Sequence, residues 1–178
     1  MTRTGRSRNV VADETTIFPA RFRLDQPEPL DLETFLPYRL SVLSNRISNA
    51  IARVYAKRFG LSIPEWRLIA VLGRFGPLSA NGVAGRTYMD KVRVSRAVQR
   101  LLERGLIERA TDAADRRRSI LKLSTEGAAI RAEVAPLALD IEKRLMAVLS
   151  REDRDDLDRI LKLLDASADT FLEGKPPG

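Results

Sequence analysis

The sequence of 178 residues contains no cysteine and no histidine. Their absence excludes disulfide bonds, thiol redox switches, Cys/His zinc sites and catalysis by histidine. The G-x-S-x-G, Walker and G-x-G-x-x-G motifs of common enzyme classes are missing too. Four aspartates between residues 153 and 158 resemble a metal cluster, but acids in the first turns of a helix favour its dipole and are usually solvated. We therefore expect a protein that is not an enzyme, with no cofactor and no metal.

Long apolar runs are also absent. No segment approaches the roughly 20 apolar residues of a membrane span. Residues 1–20 lack the continuous apolar stretch of a secretory signal. The sequence thus predicts a cytoplasmic protein without a membrane partner, and its apolar content of 44% suffices for one compact domain or two small ones sharing a core.

The net charge of +7 is unevenly distributed. Residues 86–118 carry ten basic and five acidic side chains, and residues 37–74 carry seven basic side chains and one acid. Residues 119–178 have nine basic and twelve acidic side chains. A basic centre with an acidic C-terminal end indicates that one surface binds a polyanion while another faces away from it.

A short predicted helix between Asp90 and Gly105 is the centre of the sequence. Aspartate is a frequent N-cap, and glycine readily takes the left-handed conformation that ends a helix. At 100° per residue one side of this helix is apolar and the other is polar and basic. The apolar side comprises Val94, Ala97, Val98, Leu101 and Leu102. The outer side comprises Val92, Arg93, Ser95, Arg96, Gln99 and Arg100. Arg, Gln and Ser can pair with base edges in a major groove, so we interpret this as a reading helix, with a solvated basic face as the alternative.

A basic hairpin follows the reading helix. Two short strand-like runs, at residues 106–111 and 119–124, flank a polar turn that contains three adjacent arginines. Their mutual repulsion is relieved when arginine contacts phosphate or enters a narrow minor groove. Before the reading helix, Ser79 can cap another short helix, and the turn lies at residues 87–89. Helix, turn, reading helix and hairpin predict a winged helix-turn-helix.

Four motifs in order resemble the DNA-binding core of the MarR family of bacterial transcriptional regulators. They are Asp90-Lys91 with Val94-Ser95-Arg96, Leu102-Glu-Arg-Gly-Leu-Ile-Glu-Arg109, Asp115-Arg-Arg117 and Leu123-Ser-Thr-Glu-Gly127, and the match extends outward through Leu61-Ser-Ile-Pro-Glu-Trp-Arg67. The resemblance extends over residues 37–172. Two positions depart from it: Ser124 replaces the more frequent threonine, and Gly85 lies inside a short helix. We interpret Gly85 as a sign of close packing against the reading helix.

The remaining segments predict a flexible arm and helices for dimerisation. Helices are expected at 37–59, at 62–74, from Ser124 or Thr125 to Leu149 with a kink at Pro136, and at 150–172, and one turn is expected at 31–35. The apolar stripes of the terminal helices need a cover, and the resemblance implies a homodimer that interleaves them. The fold class is mainly α with a small β-hairpin wing. The expected organisation is a flexible N-terminal arm at 1–30, a helical dimerisation region at 31–60 and 125–172, and a winged helix-turn-helix DNA-binding domain at 61–124.

The resemblance implies a ligand-responsive repressor, and a homodimer is predicted to bind double-stranded DNA at a pseudo-palindromic operator. The base contacts are assigned to Val92, Arg93, Ser95, Arg96 and Gln99. Phosphate contacts are assigned to Lys91 and Arg100, and in the wing Asp115 aims Arg117 while Arg116 or Arg118 meets the backbone. The alternative is a nucleoid or RNA-binding protein without sequence preference, which does not need base-reading side chains on a groove-sized helix.

The effector is predicted from a closer resemblance to regulators of aromatic-acid catabolism, including those that respond to hydroxycinnamates or their coenzyme A thioesters. An aromatic acid needs an apolar slot with one or two polar groups, and a thioester adds phosphates for nearby basic side chains. The candidate ligand-binding residues are Tyr38, Arg39, Ser41, Asn45, Arg46, Trp66 and Arg67. The alternative is that Trp66 belongs to the core and that the basic residues form a solvated face.

Overall fold

The computed structural model describes residues 29–111 and 119–172, and this part of the chain contains six helices and one two-stranded antiparallel sheet. In chain order the elements are α1 (Leu36–Phe59), α2 (Ile63–Phe75), α3 (Ala80–Thr87), α4 (Lys91–Glu103), β1 (Ile107–Thr111), β2 (Ser119–Leu123), α5 (Thr125–Met146) and α6 (Arg151–Leu172). The predicted fold class, mainly α with a β-hairpin, is confirmed. None of the described helices combines the length and apolar character needed to cross a bilayer.

The chain divides into two compact units between Ser41 and Val42. In the first unit, the described residues form one turn followed by the start of α1. Asp31 organises this turn: its carboxylate accepts a hydrogen bond from the Glu33 amide at 2.9 Å, and its carbonyl accepts one from the Phe35 amide at 3.0 Å. The single turn predicted at residues 31–35 is therefore confirmed.

In the second unit, the N-terminus of α2 carries the predicted capping box. Ser62 caps the helix, and the carboxylate of Glu65 accepts hydrogen bonds from the Ser62 amide at 2.6 Å and from its hydroxyl at 2.7 Å. These bonds satisfy polar groups that a helix start leaves open and keep the buried Glu65 paired. The apolar side of α2 then places Leu68 and Ile69 at the centre of the unit, both fully buried.

The reading helix, α4, has the predicted ends and faces. The Asp90 carboxylate accepts a hydrogen bond from the Arg93 amide at 2.8 Å, and Gly105 has a φ of 68°, in the left-handed region. On the inner side Val94, Ala97, Val98 and Leu101 are buried, and Leu102 is half-buried against the core. Burial of this stripe against α2 and α3 fixes which side of α4 faces outward.

The wing is a hairpin in which Ile107 pairs with Leu123 and Thr111 pairs with Ser119. Leu121, at the centre of β2, also bridges to Leu78 through two main-chain hydrogen bonds of 3.1 and 2.8 Å. Because Leu78 directly precedes the cap of α3, this bridge attaches the base of the wing to the helix-turn-helix.

Predicted and observed helix ends differ by at most three residues; α5 ends at Met146 instead of Leu149, and it continues through Pro136. The interpretation of Gly85 was wrong, because a Cβ built there has no atom within 4 Å. Close packing occurs at Gly127, where a Cβ would lie 2.0 Å from the carbonyl oxygen of Leu106. Gly127 thus lets the first turn of α5 approach Leu106, in the segment that follows α4.

Candidate nucleic-acid interface

The turn that leads into α4 follows a short helix, α3, whose two ends are stabilised by side-chain hydrogen bonds. The turn itself exposes an aromatic ring. Ser79 caps α3 by accepting a hydrogen bond from the Gly82 amide at 3.1 Å, and the Thr87 hydroxyl donates to the Val83 carbonyl at 2.8 Å. Tyr88 then takes a φ of 50°, and its residue surface is 77% exposed. A left-handed, exposed tyrosine is unusual. The sequence places Tyr88 in the predicted turn but does not indicate its strained backbone.

The outer side of α4 is exposed throughout its first ten residues. It presents Lys91, Val92, Arg93, Ser95, Arg96, Gln99 and Arg100. Two of these side chains have partners on their own helix: Arg93 pairs with Asp90 at 3.1 Å, and the Gln99 amide donates to Glu103 at 2.9 Å. The candidate base-reading and phosphate-binding residues of this helix therefore share one accessible face.

One flank of that face borders a small cavity against the start of α2. The cavity has a volume of about 170 Å³ and is lined by Ser62, Pro64, Arg93, Arg96, Ala97 and Arg100. We call Arg93, Arg96 and Arg100 the arginine flank. Their spacing of three and four residues places them on neighbouring turns of one helix side, so three guanidinium groups border a space that no acidic residue lines.

Arg104, at the C-terminal end of α4, joins this helix to the end of α1. The guanidinium of Arg104 donates to the carbonyl of Phe59 at 2.6 Å and to that of Gly60 at 3.2 Å. These carbonyls lie at a helix end, where intrahelical donors run out. This contact was not predicted, because the partners are 44 and 45 residues apart in the sequence and nothing local signals it.

The described part of the wing carries one cross-strand ion pair, Lys122 with Glu108 at 3.0 Å. The exposed Arg109 lies on the same hairpin. The predicted wing-tip residues Asp115, Arg116, Arg117 and Arg118 lie outside the described residues. Their assignment stays a prediction.

The candidate effector residues lie in several environments. Tyr38, Arg39 and Ser41 are exposed on the first turns of α1, and Asn45 is exposed further along that helix. Arg46 lines a groove of about 530 Å³ between α1 and α5, together with Leu43, Ile47, Asn49, Ala50, Arg53, Ile141 and Leu145. Neither Trp66 nor Arg67 lines this groove. The structure brings Arg46 together with Arg53 instead, on an apolar floor.

Trp66 and Arg67 belong to a contact between α1 and α2. The Trp66 ring packs against Tyr55 with centroids 5.6 Å apart, and the Arg67 guanidinium donates to the Ser48 hydroxyl at 3.2 Å. Burial raises the pKa of Tyr55 to about 12, although the positive charge of Arg67 acts in the opposite direction. Trp66 is half-buried against the core, which is the alternative stated for it from the sequence.

Three aspartates of α6 have partners within that helix or at its start. Asp153 accepts hydrogen bonds from the Ser150 hydroxyl and amide, which lower the pKa of its carboxyl. Asp156 pairs with Arg159 at 2.9 Å and Asp158 with Lys162 at 2.6 Å. Within residues 29–111 and 119–172, no group of three or more acidic side chains is arranged to hold a metal ion.

Comparison with known proteins shows which family this chain resembles in sequence and in fold. Residues 59–118, from the end of α1 to the wing, match the model of the MarR family. A MarR/EmrR family transcriptional regulator from Acinetobacter sp. ADP1 is 26% identical with a TM-score of 0.73, and the alignment covers 79% of this chain and 99% of that one. A probable transcriptional regulator from Pseudomonas aeruginosa is 30% identical with a TM-score of 0.61, covering 75% and 99%.

Bordetella bronchiseptica BpsR shares the fold at 22% identity, with a TM-score of 0.67 and coverage of 78% and 98%. The winged helix-turn-helix and its exposed basic helix indicate the same kind of protein as these similarities do. The matched family is not an enzymatic one. The chain therefore belongs to the MarR family of DNA-binding transcriptional regulators.

Proposed function

We propose that this regulator is a homodimeric repressor that reads a pseudo-palindromic operator, one α4 helix per half-site, and is released by a small aromatic acid or its coenzyme A thioester. The observation that carries the DNA-binding part is the outer face of α4. Seven exposed basic, polar or apolar side chains share that face, while the opposite side of the helix is buried in the core. A face of this size and chemistry fits a major groove.

The dimeric state is supported by apolar side chains that the described chain leaves open to solvent on its C-terminal helices. On α5, Leu139 is 62% exposed, and on α6 Leu163 is 61% exposed. Ile160, Leu161 and Leu164 extend the stripe on α6. A contiguous apolar stripe of this kind marks an interface, and a two-fold partner that contributes the same helices covers it without a further component. The organisation into dimerisation helices and a DNA-binding domain rests on the same argument.

Sequence-specific reading is tested by selecting duplexes from a random library with the full-length protein and measuring affinity for the selected and for scrambled duplexes. Gln99 is the sharpest probe, because it is exposed on the outer face and does not line the arginine-flank cavity. Gln99→Ala should weaken binding to the selected duplex by about 1–3 kcal/mol and leave binding to scrambled DNA nearly unchanged.

Arg96→Ala separates the two roles open to that residue. A loss confined to the selected duplex supports a base contact, and an equal loss on both duplexes indicates a phosphate contact. A wild-type protein that binds scrambled DNA or RNA as tightly as the selected duplex would replace the proposal by the alternative, a nucleoid or RNA-binding protein.

The effector part of the proposal is supported by two observations. The DNA binding of BpsR is regulated by 6-hydroxynicotinic acid, an aromatic acid. In this chain the groove between α1 and α5 combines an apolar floor with the guanidinium groups of Arg46 and Arg53, a pairing suited to an aromatic carboxylate. Such a ligand releases DNA if it binds more tightly to a conformation that does not fit the operator, or if it competes electrostatically for the same basic surface.

The effector is tested by titrating the protein bound to its selected duplex with p-coumarate, ferulate, benzoate and their coenzyme A thioesters. Release by a free acid, lost in Arg46→Gln, supports the groove. Release by a thioester alone favours a site that also holds phosphates. No release by any of these compounds contradicts the aromatic-effector assignment and leaves the DNA-binding proposal intact.

A further inference from the structure

The last turns of α2 and α3 bring two arginines to one exposed aromatic ring. The guanidinium carbon of Arg86 lies 4.0 Å from the centroid of the Phe75 ring, and that of Arg74 lies 5.4 Å from the same centroid. Phe75 is 46% exposed, and both arginines are exposed. The Arg86 guanidinium lies over the ring face, so the ring orients it by a cation–π contact. We call Arg74, Phe75 and Arg86 the arginine–phenylalanine patch.

The positive charge of this patch has no acidic partner in the described part of the chain. Residues 66–89 contain three arginines and no acidic residue. None of the ion pairs within residues 29–111 and 119–172 involves Arg74 or Arg86. The negative ends of the α2 and α3 dipoles favour a cation in each last turn, but they do not supply a carboxylate.

The backbone around the patch leaves it accessible. Phe75 is the last residue of α2, and Gly76 follows it with a φ of 74°, in the left-handed region. On α3, a Cβ added at Gly85, the residue before Arg86, would meet no atom within 4 Å. Because the surface beside Arg86 is open, a segment of another protein has room next to the guanidinium.

The chemistry of the patch fits a protein segment that combines a carboxylate with an apolar side chain. An arginine stacked on a ring keeps its planar fork of donors, which matches a carboxylate in bidentate geometry. The exposed part of the Phe75 ring is apolar, so its burial against an apolar side chain is favourable. Arginine and phenylalanine are both enriched at protein–protein interfaces. A DNA backbone offers anionic oxygens but no apolar side chain that covers the ring.

We propose that the arginine–phenylalanine patch is a docking surface for an acidic segment of another protein. Arg86 holds a carboxylate of this segment, and Phe75 packs against a neighbouring apolar side chain. The three residues of the patch belong to α2 and α3, not to α4. The regulator then contacts a protein partner through one surface and DNA through another. This inference goes beyond the proposed function and depends neither on the operator nor on the effector.

The probe is a short fluorescein-labelled peptide of glutamate, serine and phenylalanine. Two control peptides replace every glutamate by glutamine or every phenylalanine by serine. Binding to the full-length protein is measured by fluorescence anisotropy at low salt, where charge pairs are least screened. Wild type is compared with Arg86→Gln, which removes the charged fork, and with Arg100→Gln, the same change at an exposed position of α4. Circular dichroism melts verify that the variants fold.

Wild type should bind the probe and prefer it to both control peptides. In Arg86→Gln the affinity should fall by about tenfold or more, the effect of losing hydrogen bonds to a charged group. Phe75→Leu keeps an apolar side chain but removes the stacking surface, so the affinity should fall by about two- to fivefold. Arg100→Gln loses the same charge elsewhere and should bind the probe like wild type. Arg86→Gln should bind duplex DNA like wild type, with the same salt dependence.

No binding of the probe by wild type, or equal affinities of wild type and Arg86→Gln, overturns the docking surface. A loss confined to Arg100→Gln does so as well, because the peptide then binds the reading helix. Weaker DNA binding by Arg86→Gln, with a lower salt slope, assigns the patch to the DNA backbone and contradicts a protein partner. Sedimentation velocity tests a second copy as the occupant: assemblies larger than a dimer that Arg86→Gln abolishes would likewise contradict the proposal.

Discussion

The guanidinium of Arg104 donates to the carbonyl of Phe59 at 2.6 Å and thereby joins the end of the reading helix to the end of α1. The same side chain reaches the Gly60 carbonyl, so one residue at the C-terminal end of α4 caps the C-terminal end of another helix. Cations are favoured at this end of a helix, where the dipole is negative.

Replacing Arg104 tests this junction. Arg104→Met keeps most of the aliphatic stem and removes both hydrogen bonds, and because the contact is solvent-exposed the free energy of unfolding should fall by about 1 kcal/mol. Urea unfolding followed by circular dichroism measures the change. Arg154→Met on α6 is the control and should stay within about 0.5 kcal/mol of wild type. Equal midpoints for the two variants would show that the Arg104 hydrogen bonds do not stabilise the fold.

Two helical glycines should respond to alanine with opposite signs. At Gly127 a Cβ would lie 2.0 Å from a main-chain oxygen, that of Leu106, so α5 or the segment after α4 must shift, at a cost of roughly 1–3 kcal/mol. At Gly85 the space is open and the backbone is helical, so alanine should stabilise by up to about 1 kcal/mol. Thermal melts of Gly127→Ala and Gly85→Ala provide the comparison, and a destabilised Gly85→Ala would reveal a contact absent from the described chain.

The wrong interpretation of Gly85 shows which structural features the sequence predicts and which it does not. Local signals gave α4 correctly, because the cap at Asp90, the end at Gly105 and the period of the buried stripe act within one helix. The presence of a glycine inside a helix does not have one single explanation. Its low helix propensity alone does not reveal whether a neighbouring element packs closely against it. Gly127 was part of a recognised motif, yet its approach to Leu106 depends on packing between elements.

In the candidate site, too, some features follow from local sequence and others depend on packing between helices. Periodicity predicted that Arg93, Arg96 and Arg100 point outward, and their exposure confirms it. Their common cavity with Ser62 and Pro64 depends on how α2 packs against α4, about 30 residues away, and helix periodicity carries no information about that distance. The same limit applies to Trp66, whose partner Tyr55 lies on another helix.

Replacement of Tyr88 by asparagine should raise the stability of the fold and weaken the binding of DNA. A left-handed backbone costs an ordinary residue roughly 1–2 kcal/mol, whereas asparagine tolerates it better. Tyr88→Asn should therefore raise the melting temperature by about 2–4 °C and weaken DNA binding, since the exposed ring lies in the turn that leads into the reading helix. Tyr88→Phe retains the strain and should melt like wild type. A lower melting temperature for Tyr88→Asn would contradict strain at this position.

The buried phenol of Tyr55 predicts a loss of stability in alkali. Burial raises its pKa to about 12 in the folded protein, whereas the unfolded chain ionises near the ordinary value of 10.0. Below pH 10 both states hold the proton and the contribution is fully present. Between pH 10 and 12 the unfolded state loses its proton first, so unfolding becomes more favourable, by a total on the order of 2 kcal/mol.

Tyr55→Phe isolates this contribution, because phenylalanine keeps the ring beside Trp66 and has no proton to lose. Urea unfolding of wild type and variant at pH 8, 10, 11 and 12 measures it as a difference, in which contributions common to the two proteins cancel. Wild type should lose stability faster than Tyr55→Phe as the pH rises from 10 to 12. Parallel curves over that interval would mean that the Tyr55 hydroxyl ionises equally easily in the folded and unfolded chains, and hence that burial does not raise its pKa.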